Sequence, residues 1–98
     1  MSLLPLEFHP DAVAEAHAAG EWYKQRSEAA GAAFLAELDH AVELISRSPR
    51  RWPPYLHGTR RYLLHRFPFS VVYRERPDAL TVVAVAHARR RPGYWKSR

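Results

Sequence analysis

The chain contains no cysteine among its 98 residues. A disulfide framework, a thiolate metal site and a cysteine nucleophile are therefore excluded, and this composition fits a reducing compartment. Long hydrophobic runs are also missing, because the longest one, residues 80–86, falls well short of the ~18 to 20 residues that a membrane-spanning helix needs. We expect a cytoplasmic protein with no membrane partner.

The beginning of the sequence lacks the pattern of a signal peptide. Residues 1–7 carry no basic residue, and Pro5 interrupts their apolar run. A chain of 98 residues can bury one modest core but not two. We therefore expect a single domain over residues 1–98.

Acidic residues are scarce in the second half of the chain. Residues 47–98 hold thirteen basic residues against two acidic ones, whereas residues 1–46 hold eight acidic residues against two basic ones. The halves carry formal charges of −6 and +11, which sum to the net charge of +5. Solvated surfaces normally mix the two signs, so this segregation predicts an anionic partner. Nucleic acid, an acidic protein and a membrane surface all carry such charge, and we favour the first two.

The first half of the chain predicts a short strand followed by two helices. Residues 4–8 form the strand, and Pro10 and Asp11 are residue types that favour the first turn of a helix, which runs to about residue 26. Ser27 is a typical cap for a second helix, which ends before Pro49. The apolar positions of this second helix recur with helical spacing: Phe34, Leu35, Leu38, Ala41, Val42 and Ile45. The two helices should form a hairpin.

The second half predicts three strands after an irregular loop. Residues 49–60 contain three prolines and a glycine without any period. Strands are predicted at residues 61–67, 69–76 and 80–87, separated by Pro68 and by the turn at residues 77–79. The last strand is apolar on both faces and should lie inside the sheet. The fold class is therefore α+β, with a short N-terminal strand and a helical hairpin packed on a three-stranded antiparallel meander.

The predicted strands and the segment after them carry residues that suit metal-free RNA cleavage. That reaction needs a base, an acid and cations around the scissile phosphate. If the strand register places His65 near His87, the pair could act as base and acid, because histidine titrates near neutral pH. The candidate catalytic residues of this argument are His65 and His87. The candidate phosphate- and base-binding residues are Arg61, Arg66, Arg89, Arg91, Trp95 and Lys96.

Some of these residues also have structural interpretations. His87 could be a hydrogen-bonded residue that holds the following segment in place. Trp95 could pin that segment onto the sheet, stack on a base or contact a partner protein. The remaining histidines, His9, His17, His40 and His57, show no convergent spacing with carboxylates. We expect neither a metal nor a cofactor.

The sequence resembles the RelE/ParE superfamily, the toxins of type II toxin–antitoxin modules, often described as plasmid stabilisation proteins. The ending resembles that family most, with His87, Arg89 and Arg90 followed by Tyr94 and Trp95. Further matching segments are Trp22-Tyr23, Phe34-Leu35, Ile45-Ser46 with Pro49, Arg66 to Tyr73, and Val82 to Val85. The resemblance implies a compact α+β fold and a small cognate antitoxin, whose segment facing the basic half should be acidic and flexible.

Two activities occur within this superfamily, so the fold alone does not select one. RelE-like members cut mRNA in the ribosomal A site, and ParE-like members poison DNA gyrase. RelE-like members carry an arginine just after the last strand and a tyrosine near the end of the chain, so the resemblance adds Arg90 and Tyr94 to the candidate catalytic residues. We favour a metal-independent, ribosome-associated mRNA endonuclease, with gyrase inhibition without catalysis and an inactive antitoxin-binding relative as alternatives. The lysine pair of RelE is missing, since Arg50 and Arg51 are the basic residues in that region. Arginine is a poor general base, so an endonuclease of this sequence would depend on histidine.

Overall fold

The computed structural model describes residues 4–98, which form two helices and a four-stranded sheet. The elements in chain order are β1 (Leu6–Phe8), α1 (Pro10–Arg26), α2 (Glu28–Arg47), β2 (Arg60–Leu63), β3 (Phe69–Glu75) and β4 (Leu80–His87). A single turn of 3₁₀ helix, Leu56–Gly58, precedes β2. The predicted α+β fold, with its helical hairpin and its antiparallel meander, is confirmed.

The two helices begin at side-chain caps. His9 accepts a hydrogen bond at Nδ1 from the Asp11 amide (3.0 Å), and Pro10 occupies the first position of α1, where its missing N–H would have no helical partner. Ser27 ends α1 by donating its N–H to Tyr23, and its Oγ accepts from Ala30 (3.2 Å) to begin α2. The hairpin therefore turns at a single residue.

The sheet has the strand order β1-β4-β3-β2. β3 pairs antiparallel with both of its neighbours, as the meander predicts. β1 lies parallel to β4 with Leu6 opposite Leu80, so the sheet is mixed and has one strand more than the meander. β4 is an inner strand, which is the position that its two apolar faces predict.

The prediction that a strand covers residues 61–67 is wrong at its end, because β2 stops at Leu63. The carboxylate of Glu37 in α2 accepts hydrogen bonds from the backbone N–H groups of His65 and Arg66. These amides therefore bind to the helix layer instead of to a neighbouring strand. Phe67 then packs against the core, and the chain re-enters the sheet at Phe69.

Apolar side chains cover both faces of the inner strands. The larger cluster lies between the sheet and the helices and includes Phe34 and Ile45 of α2, Tyr73 of β3 and Val82 of β4. The smaller cluster, which we call the outer cluster, lies on the opposite face, where Trp95 packs with Val72, Val83 and Ala84. Within residues 4–98, neither helix is long and apolar enough to cross a membrane.

Candidate functional site

A groove of about 750 Å³ opens between α1 and the end of β4. Its lining is mostly apolar, with Ala19, Trp22 and Tyr23 from α1, Phe69 from β3 and Val85 from β4. Two exposed arginines, Arg89 and Arg90, follow β4 and line the groove as well. The groove thus combines an apolar surface with positive charge at one side, a combination that suits an amphipathic segment with acidic residues.

His87 ends β4 within an aromatic cluster. The edge of its ring packs on Phe69 with 4.9 Å between the ring centroids, and Phe69 in turn packs on Phe34 at 5.3 Å. The Nδ1 atom of His87 accepts a hydrogen bond from the backbone N–H of Arg89 (3.0 Å). His87 therefore fixes the start of the segment that follows β4, residues 88–98, which we call the tail.

Glu15 of α1 contacts both β4 and the tail. Its carboxylate accepts hydrogen bonds from the Val85 amide (3.0 Å), the Tyr94 hydroxyl (2.7 Å) and the Arg98 guanidinium (2.9 Å). Only 16% of the Glu15 side chain is exposed. Charge-assisted hydrogen bonds in a shielded position are stronger than those on the surface, so this carboxylate holds the tail against the body of the protein.

Tyr94 is held on several sides. Its pKa is raised by burial first, and further by the hydrogen bond to the Glu15 carboxylate and by the charge of that group. The guanidinium groups of Arg90 and Arg98 lie 3.8 Å and 5.1 Å from its ring centroid. A phenol with a raised pKa gives up its proton less readily, so Tyr94 is a weak acid in this setting.

Trp95 is buried, with 1% of its surface exposed. Its indole packs with Val72, Val83 and Ala84, and the ring of Tyr55 lies 5.9 Å away. A buried ring offers no face to a nucleic-acid base, so the predicted stacking role of Trp95 is incompatible with the structure. The alternative interpretation, in which Trp95 pins the tail onto the sheet, agrees with these contacts.

A smaller pocket of about 90 Å³ lies at the sheet face that Trp95 covers. It brings together two predicted phosphate-binding residues, Arg61 and Arg91, and the candidate catalytic residue Arg90, with Ser70 beside them. The Arg61 guanidinium lies 4.0 Å from the ring centroid of Tyr55, which keeps it at the pocket. Within the part of the chain that the structure describes, none of these three arginines forms an ion pair.

The structure does not bring the two candidate catalytic histidines together. β3 lies between the strand that precedes His65 and the strand that ends at His87. His65 stacks on Tyr62 with 6.0 Å between the centroids, and it does not line the groove that His87 lines. The predicted acid–base pair depended on a register that places the two histidines side by side. It is lost because β3 separates their strands and because His65 lies in the loop that follows Leu63.

The remaining predicted binding residues are divided between two places. Arg66 pairs with Glu37 (3.5 Å) in the loop between β2 and β3. Arg89, Arg91 and Lys96 are exposed on the tail. The exposed positive charge is therefore concentrated on the tail, and Arg66 is already paired with a carboxylate of α2.

Glu15, Arg98 and Tyr55 belong to the site but are not among the residues predicted from the sequence. Glu15 and Tyr94 are separated by 79 positions, and a lone glutamate on a helix carries no local signal of a distant partner. Arg98 was one more basic residue of the tail, although it also donates to the Val83 carbonyl (3.1 Å). Among residues 4–98, no group of three or more histidine, aspartate and glutamate side chains is placed to hold a metal ion.

Comparison with known proteins identifies the family. The model of the family described as "ParE toxin of type II toxin-antitoxin system, parDE" matches residues 6–92. A solved structure titled "Chromosomal ParDE TA system from P. aeruginosa" is similar, with a TM-score of 0.65 and 19% identity over 87% of this chain and 96% of that chain. At this identity the structural likeness concerns the fold. No curated protein sequence matches the chain. Because the family model spans most of its length, the chain belongs to the ParE toxin family of type II toxin–antitoxin systems.

Proposed function

We propose that this toxin inhibits DNA gyrase by binding to it, without catalysing a reaction. The observation that carries this proposal is the state of Tyr94, whose hydroxyl donates to Glu15 (2.7 Å) and whose pKa is raised. Tyr94 is a candidate catalytic residue of the endonuclease, and here its hydroxyl is engaged and weakly acidic. His65 and His87, which that reaction would need as base and acid, lie apart. The match to the ParE family supports the same choice, and a gyrase-directed toxin would act in the cytoplasm.

The surface that we propose for the target is the exposed, basic part of the tail. Arg89, Arg90 and Arg91 follow one another there, and none of them forms an ion pair within residues 4–98. A guanidinium group without a carboxylate partner breaks no ion pair when it binds a target. Guanidinium groups bind carboxylates and phosphates in the same bidentate geometry. Both groups are present in a gyrase–DNA complex.

A toxin–antitoxin module implies a cognate antitoxin as the second partner. We propose that a segment of the antitoxin occupies the groove between α1 and β4, with apolar side chains against Trp22 and Phe69 and acidic ones near Arg89 and Arg90. Because Arg90 also belongs to the proposed target surface, an antitoxin bound there would cover it. This arrangement would explain neutralisation by direct competition.

One observation favours the endonuclease as a second candidate. The pocket beside Trp95 gathers Arg61, Arg90 and Arg91, and three guanidinium groups can bind a phosphate group. A clamp of this kind stabilises charge but supplies neither base nor acid. The gyrase supercoiling assay is therefore accompanied by a test for RNA cleavage.

The first prediction is tested with purified gyrase and relaxed plasmid. The toxin should inhibit supercoiling and accumulate gyrase cleavage complexes, and Arg90→Ala should raise the concentration needed by about tenfold, the effect of losing one charged contact. Arg47→Ala is the matched control, because Arg47 is exposed at the end of α2 and pairs with Glu43. Normal supercoiling at toxin concentrations that arrest growth, together with cut mRNA in a translation extract, would establish the endonuclease instead.

A further inference from the structure

β4 has an unpaired edge that side chains cover. β3 pairs with β4 from Leu80 to His87, with one bulge at Val83, whereas β1 pairs only with Leu80–Val82 on the other side. Beyond β1, the Val85 N–H donates to Glu15 (3.0 Å) and the Val83 carbonyl accepts from Arg98 (3.1 Å). Glu15 and Arg98 also pair with each other at 2.9 Å, so together they occupy this edge where a strand would otherwise lie.

This ion pair is connected to Arg90 through Tyr94. The Tyr94 hydroxyl donates to the second oxygen of Glu15 (2.7 Å), which fixes the direction of the ring. The Arg90 guanidinium lies 3.8 Å from the centroid of that ring. A cation held against an aromatic face follows the face when it moves. The position of Arg90 therefore depends on a carboxylate of α1 that Arg90 itself does not contact.

We propose that Glu15 is a positioning residue of the toxin, which acts through Tyr94 to hold Arg90 between the groove and the small pocket. This proposal rests on the proposed inhibition of gyrase, in which Arg90 contacts the target. Arg90 lines both cavities, and so does Tyr94. A small displacement of Tyr94 would therefore change how Arg90 is presented on both sides of the tail.

A second attachment of the tail separates positioning from folding. Trp95 is buried in the outer cluster, next to Tyr94 in sequence, and makes no hydrogen bond to Glu15. The indole should keep the tail on the sheet after the Glu15 charge is removed. Glu15→Gln should therefore disturb Tyr94 and Arg90 while the tail stays attached.

The second prediction is a double-mutant cycle on gyrase inhibition. Glu15→Gln should weaken inhibition by up to about tenfold, the loss expected for Arg90→Ala, because its effect passes through Arg90. If Glu15 acts through Arg90, the double variant with Arg90→Ala should be no weaker than Arg90→Ala alone. A purely structural role would give losses that add, and additive losses would refute the proposal. Normal inhibition by Glu15→Gln would refute it as well.

Two further variants keep this test decisive. Tyr94→Phe removes the hydrogen bond to Glu15 but keeps the aromatic ring, and it leaves the ion pair between Glu15 and Arg98 intact. It should therefore reproduce the loss of gyrase inhibition even if Glu15→Gln folds poorly. Glu75→Gln is the matched control, because Glu75 binds Arg50 through two hydrogen bonds at the opposite end of the sheet. It should inhibit gyrase as the unmodified toxin does, and an equal loss in this control would count against a specific role of Glu15.

An NMR measurement separates this proposal from the proposed function. The ring current of Tyr94 should displace the chemical shift of the Arg90 Nε–H proton in the unmodified toxin. In Glu15→Gln this chemical shift should move toward that of a solvent-exposed arginine. If the toxin does not inhibit gyrase, the proposed function fails, and this signal alone then decides the positioning role. An Arg90 signal that is the same in both proteins would overturn it.

Discussion

The role of Trp95 differs between what its sequence context predicts and what its surroundings in the structure show. In the sequence it is an aromatic residue among arginines, which is typical of nucleic-acid binding. In the structure Gly93 has a φ of 82°, in the left-handed region that glycine adopts without strain, and the turn at Gly93 precedes the indole that fills the outer cluster. The same residue therefore stabilises the fold instead of contacting a ligand.

The third prediction follows from this burial. Trp95→Ala should lower the free energy of unfolding by about 3 to 5 kcal/mol, because the removed indole leaves a cavity between the tail and the sheet. Trp22→Ala is the matched control, since Trp22 is 50% exposed and its loss should cost much less. Chemical denaturation followed by circular dichroism measures both. Equal losses would mean that Trp95 is not a core residue in solution.

The helical hairpin depends on a close approach between α1 and α2. Gly31 of α2 lies against Lys24 of α1, and a Cβ built on Gly31 would be 2.8 Å from the Lys24 Cβ and 2.9 Å from its Cα. Backbone atoms cannot yield as a flexible side chain can. Gly20 of α1 faces Leu35, and a Cβ there would meet the side chain at an ordinary 3.4 Å. A methyl group therefore fits at Gly20 but not at Gly31 without a shift of the helices.

The fourth prediction uses this contrast. Gly31→Ala should destabilise the protein by about 1 to 3 kcal/mol, because the helices must separate, even though alanine favours a helix. Gly20→Ala should be neutral or should stabilise the protein by about 0.5 to 1 kcal/mol through helix propensity alone. Thermal unfolding of the two variants beside the unmodified toxin measures this difference. A stabilised Gly31→Ala variant would show that the helices adjust without cost.

The charge asymmetry of the sequence becomes an asymmetry between the layers of the molecule. The half with charge −6 forms β1 and both helices except for Arg47, the last residue of α2. The half with charge +11 forms the other three strands, the loops around them and the tail. Some acidic residues of the helices are used internally, as Glu15 and Glu37 are. Much of the positive charge remains exposed, including three consecutive arginines of the tail. The field of the molecule should steer acidic partners toward that end.

The fifth prediction concerns the antitoxin and salt. The association rate should fall by about tenfold or more between about 0.05 M and about 0.5 M salt, whereas the dissociation rate should change less. Replacing Arg89, Arg90 and Arg91 by glutamine should flatten this dependence. The same replacement at Arg47, Arg51 and Arg76, which are exposed on other elements, should flatten it less. Stopped-flow measurements decide, and equal slopes for the two triple variants would contradict a steering role of the tail.

Local patterns in the sequence were sufficient for most of the fold. Ser27 separates the two helices because its side chain caps the second one, and the spacing of Phe34, Leu38 and Ile45 places one face of α2 in the core. The two apolar faces of residues 80–87 predict an inner strand, and β4 is one. Such features depend on neighbours within a few positions, so a single sequence reveals them.

The sequence by itself determined the elements, the charge asymmetry and the resemblance to a toxin superfamily, because each depends on short-range pattern or composition. Only the tertiary structure decided which groups meet. It placed β3 between the strands of His65 and His87, it ended β2 at Leu63, where Glu37 binds the following amides, and it joined Glu15 to Tyr94 across 79 positions. Contacts of that kind arise from the packing of helices on a sheet, and the local sequence around a residue does not indicate which distant residue it will contact.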